Sequence, residues 1–91
     1  MRQRTIWQFP VKMADAFAVT MPKGSEVVSV QMQRGTPVMW ALVNDDPGPI
    51  EERRFAVHGT GHPVPADRTR HVGTFQEQGG AVVWHLFEVT R

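Results

Sequence analysis

Apolar and polar residues alternate with a period of two along several short segments of the chain, and glycine or proline separates these segments. A period of two is typical of a β-strand with one buried face. The 8 glycines and 7 prolines are too closely spaced for long helices. The pattern predicts strands at residues 5–11, 16–21, 26–33, 37–44, 52–58, 71–76 and 81–90. We therefore expect an all-β fold, either a small antiparallel sandwich or a partly closed barrel of about seven short strands.

The pair Gly79-Gly80 predicts the last hairpin and its register. Two consecutive glycines between alternating segments favour a two-residue turn with positive φ. Counting back from this turn places Phe75 opposite Trp84 on an apolar face. The same count places His71 opposite Glu88.

A second turn, at Arg34-Gly35, predicts a hairpin with one uniformly apolar face. Its register assigns to the core Val28, Val30 and Met32, together with Met39, Ala41 and Val43. Trp40 then lies on the opposite face with Gln31. Tryptophan is enriched at the energetic centres of protein interfaces, so Trp40 and Gln31 are candidate binding residues. The alternative is that the N-terminal strand, with Ile6, Trp7 and Phe9, covers the indole.

Length and charge restrict the class of protein. A chain of 91 residues predicts a single β domain over residues 1–91. The absence of cysteine removes disulfides and thiolate sites, and no segment has the pattern of a secretion signal or a membrane span, so we expect a cytoplasmic protein. The net charge of +1 comes from scattered charges. Nucleic acid is therefore not an expected partner.

The segment Phe55–Pro63 is the first candidate for a functional loop. It runs from a strand-like alternation into the sequence His58-Gly59-Thr60-Gly61-His62. Polar, titratable groups on a loop held by a rigid sheet are typical of binding sites. We therefore take His58, Thr60 and His62 as candidate binding residues.

The four histidines also raise the alternative of a metal-dependent or small-molecule site. Candidate ligands are His58, His62, His71 and His85, which approach one another if the strands that carry them are neighbours. The spacing matches no established zinc motif, because Gly59 and Gly61 disfavour the helix that would align His58 with His62. A Thr60–His62 pair is the candidate for general acid–base chemistry, but such a pair often only fixes a turn. No other nucleophile–base pattern is present, so we expect no catalytic residues and no cofactor.

Three segments of the sequence resemble a known family. The strings at 21–43, 55–63 and 72–88 contain PKG, SVQMQRG, WALV, GTGHP and VWHLFE. This pattern is similar to that of a family of short uncharacterised proteins encoded by bacteriophages and bacterial genomes. The resemblance implies a phage or prophage context and one intact domain. It implies no activity and assigns no role to any residue.

These observations favour a domain that works by binding. We expect a homo-oligomer or an accessory partner of another protein, with the histidine-containing loop and the Trp40 strand face as contact surfaces. A small domain without disulfides gains stability from association, and burial of an exposed indole removes apolar area from water.

Overall fold

The computed structural model describes residues 3–65 and 67–90, and within them the chain forms seven β-strands. They are β1 (Arg4–Pro10), β2 (Phe17–Pro22), β3 (Glu26–Gln33), β4 (Thr36–Asn44), β5 (Ile50–Gly59), β6 (Thr69–Glu77) and β7 (Val82–Val89). A single 3-10 turn, Gln78–Gly80, joins the last two strands. Every predicted strand is present, with ends displaced by at most two residues. None of the described segments forms a helix of the length and apolarity needed to cross a membrane.

The strands form two antiparallel sheets. One sheet has three strands in the order β1-β4-β3, and the other has four in the order β2-β5-β7-β6. Both sheets keep free edges, so the fold is a sandwich and not a closed barrel. The chain changes sheet between β1 and β2, between β2 and β3, and between β4 and β5. The all-β sandwich expected from the alternation is therefore confirmed.

The core lies between the two sheets and is built from alternate residues of their facing sides. From the three-stranded sheet it includes Phe9, Val27, Val30, Met39, Ala41 and Val43. From the four-stranded sheet it includes Phe17, Met21, Phe55, Val57, Phe75 and Leu86. Val11, which follows β1, completes the cluster. Burial of these side chains is the main favourable contribution to folding.

The two sheets approach each other most closely where β3 meets β6. A Cβ atom added at Gly73 in β6 would lie 2.8 Å from Cγ1 of Val30 in β3. Only glycine permits this approach. On the opposite side, β1 and β2 are the edge strands of their sheets, and Trp7 between them remains 46% exposed. The sandwich is thus closed along β3 and β6 and open along β1 and β2.

Both predicted turns are confirmed. Gly79 and Gly80 have φ of 66° and 96°, and the Ala81 N–H donates to the Gln78 carbonyl over 3.2 Å. Phe75 pairs with Trp84 as expected. Arg34 and Gly35 have φ of 53° and 81°, the left-handed values that a two-residue hairpin turn requires.

Two β-bulges shift the predicted register away from the turns. In β6 the register shifts between His71 and Gly73, so His71 pairs with Phe87 and Arg70 pairs with Glu88. The predicted pairing of His71 with Glu88 is therefore wrong. An extra residue in one strand moves every side chain beyond it by one position.

The bulge in β3 has the same effect between Val27 and Ser29. Val27, which the regular count placed on the polar face, is buried opposite Ala41, whereas Val28 is 42% exposed. The assignment of Val28 to the core is therefore wrong. Val30 lies in the core as predicted.

Candidate functional site

The outer face of the three-stranded sheet carries a strip of incompletely buried apolar side chains. Trp40 and Leu42 in the central strand β4 are half-buried, and Ile6 in β1, which pairs with Leu42, is 56% exposed. Gln8 and Ser29 pair with Trp40 from the two sides. We call this surface, with Ile6, Gln8, Gln31, Trp40 and Leu42, the Trp40 face.

Polar side chains frame the Trp40 face. The Gln8 side-chain amide donates to Oε1 of Gln33 over 2.7 Å, which links β1 to β3 across β4. Arg4 and Glu26 form an exposed ion pair of 3.2 Å beyond Leu42. Gln31 pairs with Val38, one row from Trp40. An apolar centre with a polar rim is the usual anatomy of a protein interface.

The N-terminal strand flanks the indole of Trp40 instead of lying over it. β1 pairs with β4 within the sheet, so Trp7 and Phe9 lie opposite Ala41 and Met39 on the core-facing side. Trp40 has the other parity and projects from the outer side. Coverage of the indole by Trp7 and Phe9 is therefore wrong, whereas Ile6 shares the outer side with Trp40, which is half-buried.

Three of the four candidate histidines meet on the outer face of the four-stranded sheet. His58 pairs with His85 across β5 and β7, and the His71 ring lies 6.1 Å from the His85 ring, between centroids. Phe87 packs edge-on against His58 and His71, with centroid distances of 5.7 and 5.2 Å. We call this surface the histidine face. It lies on the opposite side of the sandwich from the Trp40 face.

Both ring nitrogens of His85 contact threonine hydroxyls. The Thr60 Oγ1 lies 2.8 Å from Nε2, and the Thr74 Oγ1 lies 3.0 Å from Nδ1. A neutral imidazole has one donor and one acceptor nitrogen, so one hydroxyl accepts and the other donates. Thr60, which is two residues from His62 in the sequence, thus contacts His85 and not His62. This arrangement fixes the ring and occupies both positions that a ligand would use.

His62 lies apart from the other three histidines. The backbone N–H of His62 donates to the Gly59 carbonyl over 3.1 Å, and Gly61 in this turn has φ of 87°. A Cβ at Gly59 would lie 3.1 Å from Cε1 of His62 and 3.5 Å from Cζ3 of Trp84. Gly59 thus lets the imidazole fold back beside Trp84. Over residues 3–65 and 67–90, no group of three or more histidine, aspartate or glutamate side chains is placed to hold a metal ion.

An ion-pair network at one end of the sandwich was not predicted. Glu88 is 7% exposed and accepts hydrogen bonds from Nε and Nη2 of Arg53, the latter over 3.1 Å. Arg70 Nη2 donates to the same carboxylate over 3.3 Å. Arg53 Nη1 also donates to the Ser25 carbonyl over 2.8 Å, and Arg70 Nη2 lies 3.5 Å from the Val27 carbonyl. The two arginines therefore join the four-stranded sheet to the start of β3.

The network changes the titration of two of its members. The Gly24 backbone N–H, which donates to Glu51 over 3.0 Å, and secondly the Arg53 guanidinium lower the pKa of Glu51 below its ordinary value. The hydrogen bond from Arg53 to Glu88 raises the pKa of Arg53. Arg53 is thus a fixed cation with its donors occupied.

A signal for this network was present in the sequence. Glu51 and Arg53 have the same strand parity as the buried Phe55 and Val57, so a period of two places them on the core-facing side. A charged residue at a core-facing position requires a partner of opposite charge. Glu88 has the same parity as Leu86 and is that partner.

Comparison with known proteins identifies a family but no characterised relative. No curated protein matches the chain, and no solved structure matches it. Residues 2–91 match the family described as a domain of unknown function, DUF7352. Because this match covers nearly the whole chain, the protein belongs to the DUF7352 family.

Proposed function

We propose that this domain is a binding module that contacts another protein chain through the Trp40 face, and that it acts as an accessory protein in a phage or prophage context. The observation that carries the proposal is the apolar strip on the outer side of a rigid sheet, in which Ile6 is exposed and Trp40 and Leu42 are half-buried. The motif resemblance to phage-encoded proteins supports the biological context.

The composition of the Trp40 face favours a protein partner. Its centre combines an indole with two aliphatic side chains, which bury apolar area on contact. Gln8 and Gln31 at its margin offer amide donors and acceptors. The charges of Arg4 and Glu26 at its border pair with each other. A protein surface of mixed polar and apolar character is therefore a better partner for this face than a polyanion such as nucleic acid.

The histidine face supports a binding role less well. His85 is held through both nitrogens, and Phe87 packs against His58 and His71. A ligand would have to displace these contacts. On the Trp40 face Ile6 is already exposed and Trp40 and Leu42 are half-buried, so a partner can cover their remaining surface without such a rearrangement.

The test is co-purification from the native host with tagged wild-type protein and two matched variants. Trp40→Arg places a charge at the centre of the Trp40 face, and Phe87→Arg places one on the histidine face. The wild type and Phe87→Arg should retain a common protein, which Trp40→Arg should lose. Circular dichroism of both variants controls for folding.

The recovered protein is then purified and titrated against the same three proteins. Loss of its affinity with Trp40→Arg alone supports the proposal. Loss with Phe87→Arg alone assigns binding to the histidine face and refutes it. Equal retention by all three proteins also refutes it. Addition of Zn²⁺ to the wild type, followed by metal analysis after dialysis, tests the histidine alternative separately.

A further inference from the structure

We infer that two copies of this chain pair antiparallel along the free edges of their β1 strands, with Ile6 opposite Ile6 of the second copy. The inference names one partner for the proposed binding module. The pairing itself does not depend on the proposed function; only the use of the paired surface to bind a partner rests on that proposal.

The hydrogen-bond phase of β1 shows which backbone groups are free. The Asp45 N–H donates to the Gln3 carbonyl over 3.1 Å, and the Val11 N–H donates to the Pro37 carbonyl over 3.3 Å. In an antiparallel ladder the residues between these ends alternate, so the odd-numbered residues of β1 bond to β4. The even-numbered residues point their N–H and C=O groups away from β4. These residues are Arg4, Ile6 and Gln8, and Pro10, which has no N–H.

The side chains at the centre of this edge do not protect it. Ile6 is 56% exposed on the outer side, and Trp7 is 46% exposed on the core-facing side. The one charged side chain described in the strand, Arg4, is turned toward Glu26. Sheets usually blunt such edges with charge, proline or a covering segment. An apolar edge with unpaired backbone groups is a template for another strand.

The register with Ile6 opposite Ile6 leaves no backbone group of Arg4, Ile6 or Gln8 without a partner. In this register Arg4 lies opposite Gln8 of the second copy, and every pair joins residues that have both an N–H and a C=O group. A shift that places Trp7 opposite Trp7 forms as many hydrogen bonds, but it puts Arg4 opposite Pro10, where the Arg4 carbonyl finds no donor because proline has no N–H. We therefore place Ile6, and not Trp7, at the two-fold axis.

The same register gives Trp7 a place to bind. A groove of 390 Å³ opens between β1 and β2, and it is lined by Trp7, Met21, Pro22, Ile50 and the segment 44–48. Trp7 of the second copy would lie opposite Thr5 on the core-facing side, which is the side on which this groove opens. Each indole would thus fill the groove of the other copy. The exchange adds apolar burial to the contact between strand edges, which alone is small against the ~800 Å² per partner of a standard interface.

The pairing also changes the proposed binding surface. Two three-stranded sheets joined along β1 form one continuous sheet in the order β3-β4-β1-β1-β4-β3. Its outer side carries two copies of the Trp40 face, related by a two-fold axis through Ile6. A partner with repeated sites would then bind both copies, with a gain in avidity.

Single-cysteine variants test the register directly, because the native chain has no cysteine. Residues opposite each other in a hydrogen-bonded antiparallel pair have Cα atoms ~5.5 Å apart, within disulfide range. In Ile6→Cys the two sulfurs meet across the two-fold axis. In Gln8→Cys they are offset by four residues, or about 14 Å along the strand. In a glutathione redox buffer Ile6→Cys should form disulfide dimers at least about tenfold faster than Gln8→Cys.

Sedimentation equilibrium of the cysteine-free protein completes the test. The wild type should dimerise, Ile6→Lys should weaken the dimer by about tenfold or more, and Val28→Lys should not. Val28 is a matched control because it is an aliphatic side chain of the same sheet that is 42% exposed and lies in β3, at the edge opposite β1. Fastest cross-linking by Trp7→Cys, equal cross-linking of the variants, or a wild type that is monomeric at millimolar concentration overturns the inference.

The two proposals fail in different ways. Trp40→Arg should leave the Ile6→Cys cross-link unchanged, because Trp40 lies outside the paired edge. If the cross-link is absent while Trp40→Arg still abolishes partner binding, only the pairing of β1 is refuted. If the cross-link forms while Trp40→Arg retains the partner, only the Trp40 face is refuted.

Discussion

Glu88→Gln is the most informative single substitution for the stability of this sandwich. It keeps the size of the side chain and removes its charge. Arg53, whose side chain is 17% exposed, then retains only Glu51 as an anionic partner, over 3.1 Å. Removal of one member of a buried ion pair typically costs 3–5 kcal/mol; because Glu51 remains, we expect about 3 kcal/mol.

Glu26→Gln is the matched control for this substitution. Glu26 also pairs with an arginine, Arg4, but the two side chains are 60% and 43% exposed. Exposed pairs contribute at most about 1 kcal/mol. The two variants therefore make the same chemical change in different surroundings.

The assay is urea unfolding followed by circular dichroism, with the slope against urea as a check on two-state behaviour. Glu88→Gln should lower the midpoint strongly at an unchanged slope, and it should lower Tm by at least about 12 °C for a domain of this size. Equal midpoints for Glu88→Gln and Glu26→Gln would refute the reasoning. The double variant Arg53→Met with Glu88→Met should recover most of the loss, because apolar residues of similar volume replace buried ion pairs well.

Three further substitutions test the packing and the titration. Gly73→Ala should cost about 1–3 kcal/mol through overlap with Val30, and a double-mutant cycle with Val30→Ala should show a favourable coupling on chemical unfolding. Glu51→Gln should make the loss of stability in acid less steep. The pKa of Glu51 is lowered in the folded protein, so the stability that its carboxylate contributes is present above the ordinary carboxyl pKa and is lost as pH falls through the folded value. Unfolding midpoints measured across the acid range test this. Trp84→Ala should cost about 3 kcal/mol in a thermal melt, because it removes packing against the core and the 2.8 Å hydrogen bond to Glu77; an unchanged midpoint would contradict the role of Trp84 in the core.

The strands and turns of this fold could be predicted because their signals are local. Alternation over five to ten residues identifies a half-buried strand wherever it lies in the sheet. Gly79-Gly80 and Arg34-Gly35 specify their turns through backbone conformation alone. The register close to each turn followed from counting, as the pairing of Phe75 with Trp84 shows.

The bulges could not be predicted in this way. A bulge adds one residue to one strand, and the sequence at Val27–Ser29 still alternates acceptably in either register. What selects the observed register lies elsewhere in the chain. Burial of Val27 opposite Ala41 brings its carbonyl within reach of Arg70, which also contacts Glu88. Contacts between β3 and β6 thus decide a choice that the local sequence leaves open.

The candidate binding surfaces show a similar division. The parity of β4 and the register of the Arg34-Gly35 hairpin were enough to place Trp40 and Gln31 on one face, opposite the core residues. The grouping of His58, His71 and His85 required the strand order β5-β7-β6, which the sequence did not specify. His62 was separated from them by the packing of its ring against Gly59, a contact that spacing along the chain does not reveal.

The free edge of β1 shows why a binding surface is harder to predict than a core. A core residue is recognised by its own side chain and its period, whereas an edge is defined by the absence of a neighbouring strand, which only the sheet order reveals. The alternation of Ile6 and Trp7 on the two sides of β1 looks the same in an edge strand as in a central one. Once the sheet order shows that β4 pairs with only one side of β1, Ile6 and Trp7 are seen to lie on a free edge. The same apolar residues that would stabilise a central strand then favour association with a second chain.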